Sequence, residues 1–204
     1  MKLFFLPAKS KTDIKSTIEK IDLSKLNGKI GLVTTVQYLD QVKKYQSLIP
    51  HSIFAGQILG CNVSQPYSIL KQVDCFLYIG SGDFHPIELL KLKKPVFVLN
   101  PETQKFKELD QKVLTDYEKS VRGKQLKFLN ANKIGILISL KPHQKNLKVA
   151  LELKKKLGDK AYLFLCSNFS DFEAENFREM DIFVNTACPR IDSKNIINLV
   201  DLPK

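Results

Sequence analysis

Short apolar runs rich in β-branched and aromatic residues alternate along this chain with lysine-rich amphipathic segments. That alternation is the pattern of strands crossed over by helices in a mostly parallel sheet. Strands are predicted over 3–6, 30–34, 52–54, 76–79, 96–99, 134–138, 161–165 and 182–185, and helices over 12–21, 36–48, 66–72, 86–91, 104–130 and 144–157. The fold class expected is α/β, with two small three-layer αβα-type domains and mainly parallel sheets.

Two phrases suggest that the chain repeats itself. Gly28 to Thr35 (GKIGLVTT) and Asn132 to Ser139 (NKIGILIS) are both buried-strand patterns ending in small hydroxyl residues, each followed by a glutamine, Gln37 and Gln144. This reads as a weak internal repeat with a boundary near Asn130. The expected division is a middle domain over 28–130 and a C-terminal domain over 131–204. Residues 1–27 hold one strand and one helix, too little for a core of their own, and are read as the remnant of a preceding domain.

The formal charge of +11 comes almost wholly from lysine, since Arg122, Arg178 and Arg190 are the only arginines. Nucleic-acid readers favour arginine for its bidentate fork, so no DNA binding is expected and the lysines read as a solubilising surface. An acidic partner, RNA or protein, is the alternative. No run of about 18 apolar residues is present, and the start MKLFFLPAKS lacks a small-residue cleavage site. A cytoplasmic location without a membrane span is therefore expected. Cys61, Cys75, Cys166 and Cys188 form no C-x-x-C pair, which leaves zinc-finger and thioredoxin-like readings without support. Disulfides are not expected in that compartment.

Three phrases each follow an apolar run, where α/β proteins gather ligand-binding loops. In Gly56-Gln57-Ile58-Leu59-Gly60-Cys61-Asn62, glycines on the approach to Cys61 permit a tight turn that leaves the thiol accessible. A buried structural cysteine is the plainer reading on spacing alone. In Tyr78 to Pro86 (YIGSGDFHP), the Gly80-Ser81-Gly82 turn leads into a helix whose first amides could cradle an anion, with His85 at the junction. In Val184 to Ile191 (VNTACPRI), Cys188 sits among small residues with Arg190 two positions on. A neighbouring cation favours the thiolate, the form that binds metal.

These runs, GQILGCN, LYIGSGDFHP and VNTACPRI in that order, resemble the second and third domains of the 2-(3-amino-3-carboxypropyl)histidine synthases that begin diphthamide synthesis. Ile30 to Tyr38 (IGLVTTVQY) is similar to that family's second-domain opening. The resemblance implies a [4Fe–4S] cluster with one cysteine from each of three similar αβ domains, Cys61 and Cys188 being two of the ligands. It also implies S-adenosylmethionine as co-substrate, whose 3-amino-3-carboxypropyl group passes by radical chemistry to a histidine of translation elongation factor 2. For the methionine part of that co-substrate it points to Arg190 as a carboxylate clamp, with Gln57, Gln144, the Gly80–Gly82 turn and His85 lining the pocket. His143 stands where the family has glycine, and Cys75 and Cys166 fall in apolar strands and are read as core.

The family's first domain, with the third cysteine, is not recognisable here. The resemblance then implies a partner, either a separate chain supplying that domain or a full-length paralogue, in a dimer, with the isolated chain inactive. A non-catalytic assisting subunit that binds the elongation factor or RNA is the alternative. A conventional methyltransferase is the enzyme runner-up, against which stands the missing G-x-G-x-G turn.

Overall fold

The computed structural model describes residues 4, 6–141, 144–167, 169, 173, 175–189, 191 and 193–203. The chain falls into two compact units, Met1–Thr115 and Asp116–Lys204.

The first unit is a five-stranded sheet of β1 (Ile30–Thr34), β2 (Ser52–Gln57), β3 (Cys75–Ile79), β4 (Val96–Asn100) and β5 (Lys105–Glu108), in the order β2-β1-β3-β4-β5. The pairs among β1 to β4 are parallel, and β5 runs antiparallel on β4. Every residue of β1 and β3 is buried, which is why both read as continuous apolar runs. Alternate residues feed two cores. Leu32, Leu77, Ile79 and Leu99 pack beneath α1 (Lys15–Ile18) and α2 (Leu39–Tyr45), while Val33, Phe76, Tyr78 and Val98 join Leu89 and Leu90 of α4 (Ile87–Leu90) on the other face.

Two corrections arise in this unit. The helix expected over 104–130 begins as β5, where the alternation Lys105-Phe106-Lys107-Glu108 turns Phe106 inward to stack on Phe97 at 5.8 Å. Lysines on a charged edge strand had looked like a helix face, and the helix proper is α5 (Lys112–Leu129). Residues 1–27 do not stand apart, since Ile14, Ile18 and Leu26 are buried in the same core as Leu32. Gln41 of α2 ties that segment down by accepting from the amide of Ile14 and donating to the carbonyl of Thr12. Of the strand expected over 3–6, residues 3 and 5 lie outside the described residues, and Phe4 and Leu6 are exposed and not in a strand.

The second unit is a four-stranded parallel sheet of β6 (Ile134–Ser139), β7 (Ala161–Cys166), β8 (Ile182–Asn185) and β9 (Ile196–Asn198), in the order β7-β6-β8-β9. β9 escaped the sequence reading because it spans only three residues. On one face, Ile136 and Ile138 pack with Ala150 of α6 (Leu147–Leu157), and Ile134, Ile182 and Val184 pack with Phe128 of α5. The other face, around Leu137 and Phe183, is covered by Phe169, Met180 and Ile191 from connecting segments. The division between units falls near the start of α5 rather than near Asn130, because Tyr117 and Gln125 bond Asp201 and its carbonyl, and Phe128 joins this core.

The strand orders of the two units correspond, β2-β1-β3-β4 with β7-β6-β8-β9, and so do details. Asp74, before β3, accepts from the amide of Lys29, before β1, at 2.7 Å; Asp181, before β8, accepts from that of Lys133, before β6, at 2.9 Å. One difference is a bulge in β2: Leu32 pairs with Phe54 and Val33 with Gly56, leaving Ala55 as an extra residue, whereas β6 and β7 pair without a break. No helix among the described residues is long and apolar enough to cross a membrane.

Candidate functional site

In each unit the chain reverses winding direction beside its first strand, between β1 and β3 and again between β6 and β8. Loops leaving the carboxyl ends of strands on either side of such a switch point diverge and open a crevice, the usual ligand position in open α/β sheets. The sequence-predicted residues in the described part of the chain all leave carboxyl ends of strands.

In the first unit, Gln57 closes β2, and its amide donates to the side-chain oxygen of Gln65 at 2.6 Å. Cys61 lies in the turn from Leu59 to Asn62, closed by the Asn62 amide on the Leu59 carbonyl at 3.0 Å. Gly60 takes φ of +58° there, the conformation that lets so tight a turn form without strain. Asn62 then accepts from the Ser64 amide at 3.0 Å to open α3 (Ser64–Ser68). The Cys61 thiol is free and half-buried.

Across the switch point, β3 ends in Gly80-Ser81-Gly82. A side chain at Gly80 would put its Cβ 2.5 Å from the Tyr78 hydroxyl, so the turn closes directly over that buried ring. His85 follows, edge-on to Phe84 at 5.0 Å, and its carbonyl accepts from the Glu88 amide. Lys107 reaches Asp83 beside this turn at 2.6 Å.

In the second unit, Gln144 follows β6 and Cys188 follows β8. Gln144, Ser139, Lys141, Cys166, Ser167, Asn185 and Ala187 are among the residues that line one cavity of about 110 Å³. Gln144 and Ala187, the residue before Cys188, are thus brought together, whereas Arg190 and His143 lie outside the described residues. Cys166 is a correction: it is half-buried on this cavity rather than part of the core. Burial, with the charge of Glu173 adding to it, raises its thiol above the ordinary range. Cys75 is core as expected, 3% exposed, and burial pushes its thiol up to about 11 with help from Asp74.

The backbone that carries Cys188 is held by several side-chain hydrogen bonds. Asn146 donates to the Thr186 carbonyl at 2.6 Å, and the Thr186 hydroxyl donates to the Leu137 carbonyl at 2.7 Å. Asn185 accepts from the Ala187 amide at 2.9 Å and donates to the Cys188 carbonyl at 2.7 Å. Asn198 donates to the Pro189 carbonyl at 3.0 Å. Sequence reading missed Asn146, Asn185 and Asn198. The signal available was a β-disfavoured asparagine ending two otherwise apolar strands.

The arrangement offers soft thiol donors on turns rather than in the core, the donor type that holds iron in iron–sulfur clusters. Cys61 and Cys188 fit that role as half-buried thiols on loops that follow strands; Cys166 is equally half-buried but is the last residue of β7, and Cys75 is buried in the core. Among the described residues no three His, Cys, Asp or Glu side chains gather as a metal site.

A model of the diphthamide synthesis protein family matches residues 1–197. Curated relatives include the 2-(3-amino-3-carboxypropyl)histidine synthase of Pyrococcus horikoshii, 29% identical over 92% of this chain, and that of Methanocaldococcus jannaschii, 31% identical over 94%. The chain spans 58% and 56% of those two proteins' lengths. Among solved structures, Dph2 from Pyrococcus horikoshii with a 4Fe-4S cluster is similar with a TM-score of 0.76 and 27% identity, over 95% of this chain and 63% of that one.

Proposed function

Because the chain belongs to the diphthamide synthesis protein family, we propose that it is the part of a 2-(3-amino-3-carboxypropyl)histidine synthase that carries two cluster-binding cysteine loops. Cys61 and Cys188 would hold a [4Fe–4S] cluster together with a thiolate from another chain, a separate first domain or a full-length paralogue. When bound, the cluster supplies the electron that cleaves S-adenosylmethionine. The reaction is transfer of the 3-amino-3-carboxypropyl group to a histidine of elongation factor 2, in the cytoplasm.

The observation that carries this reading is the pair of free, half-buried thiols, each on a loop that follows a parallel strand within the matched residues. For the co-substrate's methionine end, the support is the cavity that Gln144 lines beside Ala187. Arg190 and His85 stand as further contacts, with Gln57 and the Gly80–Gly82 turn.

Anaerobic reconstitution with iron and sulfide, together with a cysteine-bearing first-domain chain or a paralogue, tests the assignment. Absorbance near ~400 nm, where thiolate-bound clusters absorb, is expected for the wild type and for Cys75→Ala, and reduced for Cys61→Ala and Cys188→Ala. Unchanged absorbance in the last two sinks the ligand assignment. Methylthioadenosine is the expected product from S-adenosylmethionine, and S-adenosylhomocysteine would point to methyl transfer instead.

A second reading, an assisting subunit that binds the elongation factor or RNA without chemistry, draws its support from the lysine-borne charge of +11. Normal modification of elongation factor by the complex when both Cys61 and Cys188 are replaced would favour it.

A further inference from the structure

The paired strands of the two units allow a comparison position by position. Phe76 on β3 pairs with Val96 on β4 and Tyr78 with Val98; Phe183 on β8 pairs with Ile196 on β9 and Asn185 with Asn198. Asn185 and Asn198 therefore occupy the places that Tyr78 and Val98 fill in the first unit. Both asparagines are buried, at 2% and 6% exposure. Burying two amides costs free energy unless each is hydrogen-bonded, and the first unit shows that the fold does not require amides there.

What the pair does is visible in its bonds. The Asn185 amide nitrogen donates to the Asn198 oxygen at 2.8 Å and to the Cys188 carbonyl at 2.7 Å. The Asn185 oxygen accepts from the Ala187 amide at 2.9 Å, and the Asn198 nitrogen donates to the Pro189 carbonyl at 3.0 Å. Three consecutive residues around one thiol are gripped from beneath by two side chains that also grip each other.

We propose that Asn198 is a positioning residue which, with Asn185, clamps the backbone from Ala187 to Pro189 and so fixes the direction in which Cys188 presents its thiol to a metal. The functional part rests on Cys188 being a cluster ligand; the clamp itself does not. Asn198→Val installs the first unit's residue and removes both of its side-chain bonds. Asn198→Asp keeps the acceptor for Asn185 and loses only the donor to Pro189.

The test is peptide-resolved alkylation of the whole chain with iodoacetamide, with Cys61 and Cys75 as internal standards. In Asn198→Val, the Cys188 rate relative to Cys61 is expected to change by roughly tenfold, the scale of one buried hydrogen bond's restraint. Asn198→Asp should fall between Asn198→Val and the wild type. The Cys75 rate should stay low, since only global loosening would raise it. Hydrogen exchange at the Ala187 amide, held by Asn185, should quicken in parallel, and it decides the matter with Asn198→Asp if Asn198→Val does not fold. Cys188 rates and Ala187 exchange within twofold of the wild type in the folded variants would overturn the clamp. Cluster absorbance of the reconstituted complex should fall in Asn198→Val. If Cys188→Ala leaves that absorbance intact while the alkylation result holds, the ligand reading has failed and the clamp has not.

Discussion

Gly31 on β1 is the direct register partner of Phe76 on β3, and the Phe76 ring lies across the space a Cβ at Gly31 would need, with its nearest carbon 2.7 Å from that point. Gly135 and Phe183 repeat the relationship in the second unit, closer still. The glycines shared by GKIG and NKIG are therefore packing devices that let an aromatic ring lie flat over the first strand.

Gly31→Ala is expected to destabilise the first unit by about 1–3 kcal/mol, the usual cost of overpacking. Phe76→Leu should recover part of that loss. A double-mutant cycle by urea unfolding checks it, and additive effects would deny the contact.

Thr186→Val removes a buried hydroxyl's bond to the Leu137 carbonyl. A loss of about 1–2 kcal/mol is expected, read from exchange of amides in β6 and β8. Thr34→Val should cost the first unit a similar amount, because its hydroxyl donates to the Ile79 carbonyl at 2.6 Å.

The Cys75 thiol is pushed up to about 11 in the folded chain, from an ordinary value of 9.0. A group that holds its proton more tightly when folded contributes stability below its unfolded pKa and loses it as pH rises through the folded one. Wild-type stability should therefore decline between pH 9.0 and about 11 more steeply than that of Cys75→Ala. Parallel pH profiles from denaturant titrations decide the point.

Lys107 and Asp83 form an ion pair whose side chains are 51% and 45% exposed. Such a pair contributes about 0–1 kcal/mol. Lys107→Ala should leave thermal unfolding nearly unmoved at moderate salt, and a large loss would mean that β5 depends on the pair.

Burial on both faces leaves an unbroken apolar run and makes β1, β3, β4, β6 and β8 legible in the sequence, while β2 and β7, only partly buried, are legible from their short β-branched and aromatic runs. β5 was read as helix because three of its four residues are charged and only Phe106 turns inward. The loops bearing Cys61 and Cys188 could be picked out because glycine, proline and small residues follow strands there. The clamp could not, since Asn198 meets Asn185 only through the pairing of β8 with β9, and β9 is too short to announce itself. Cys166 looked like core because it ends an apolar run, yet the run stops at the rim of a cavity.

Ala55, the unpaired residue of the β2 bulge, makes β2 one residue longer against β1, whereas β7 pairs with β6 residue for residue. Without it Phe54 and Gly56 would follow one another opposite Leu32 and Val33, as β7 follows β6, so the extra residue bends the strand locally while Gln57 keeps its place opposite Thr34 at the head of the segment leading to Cys61.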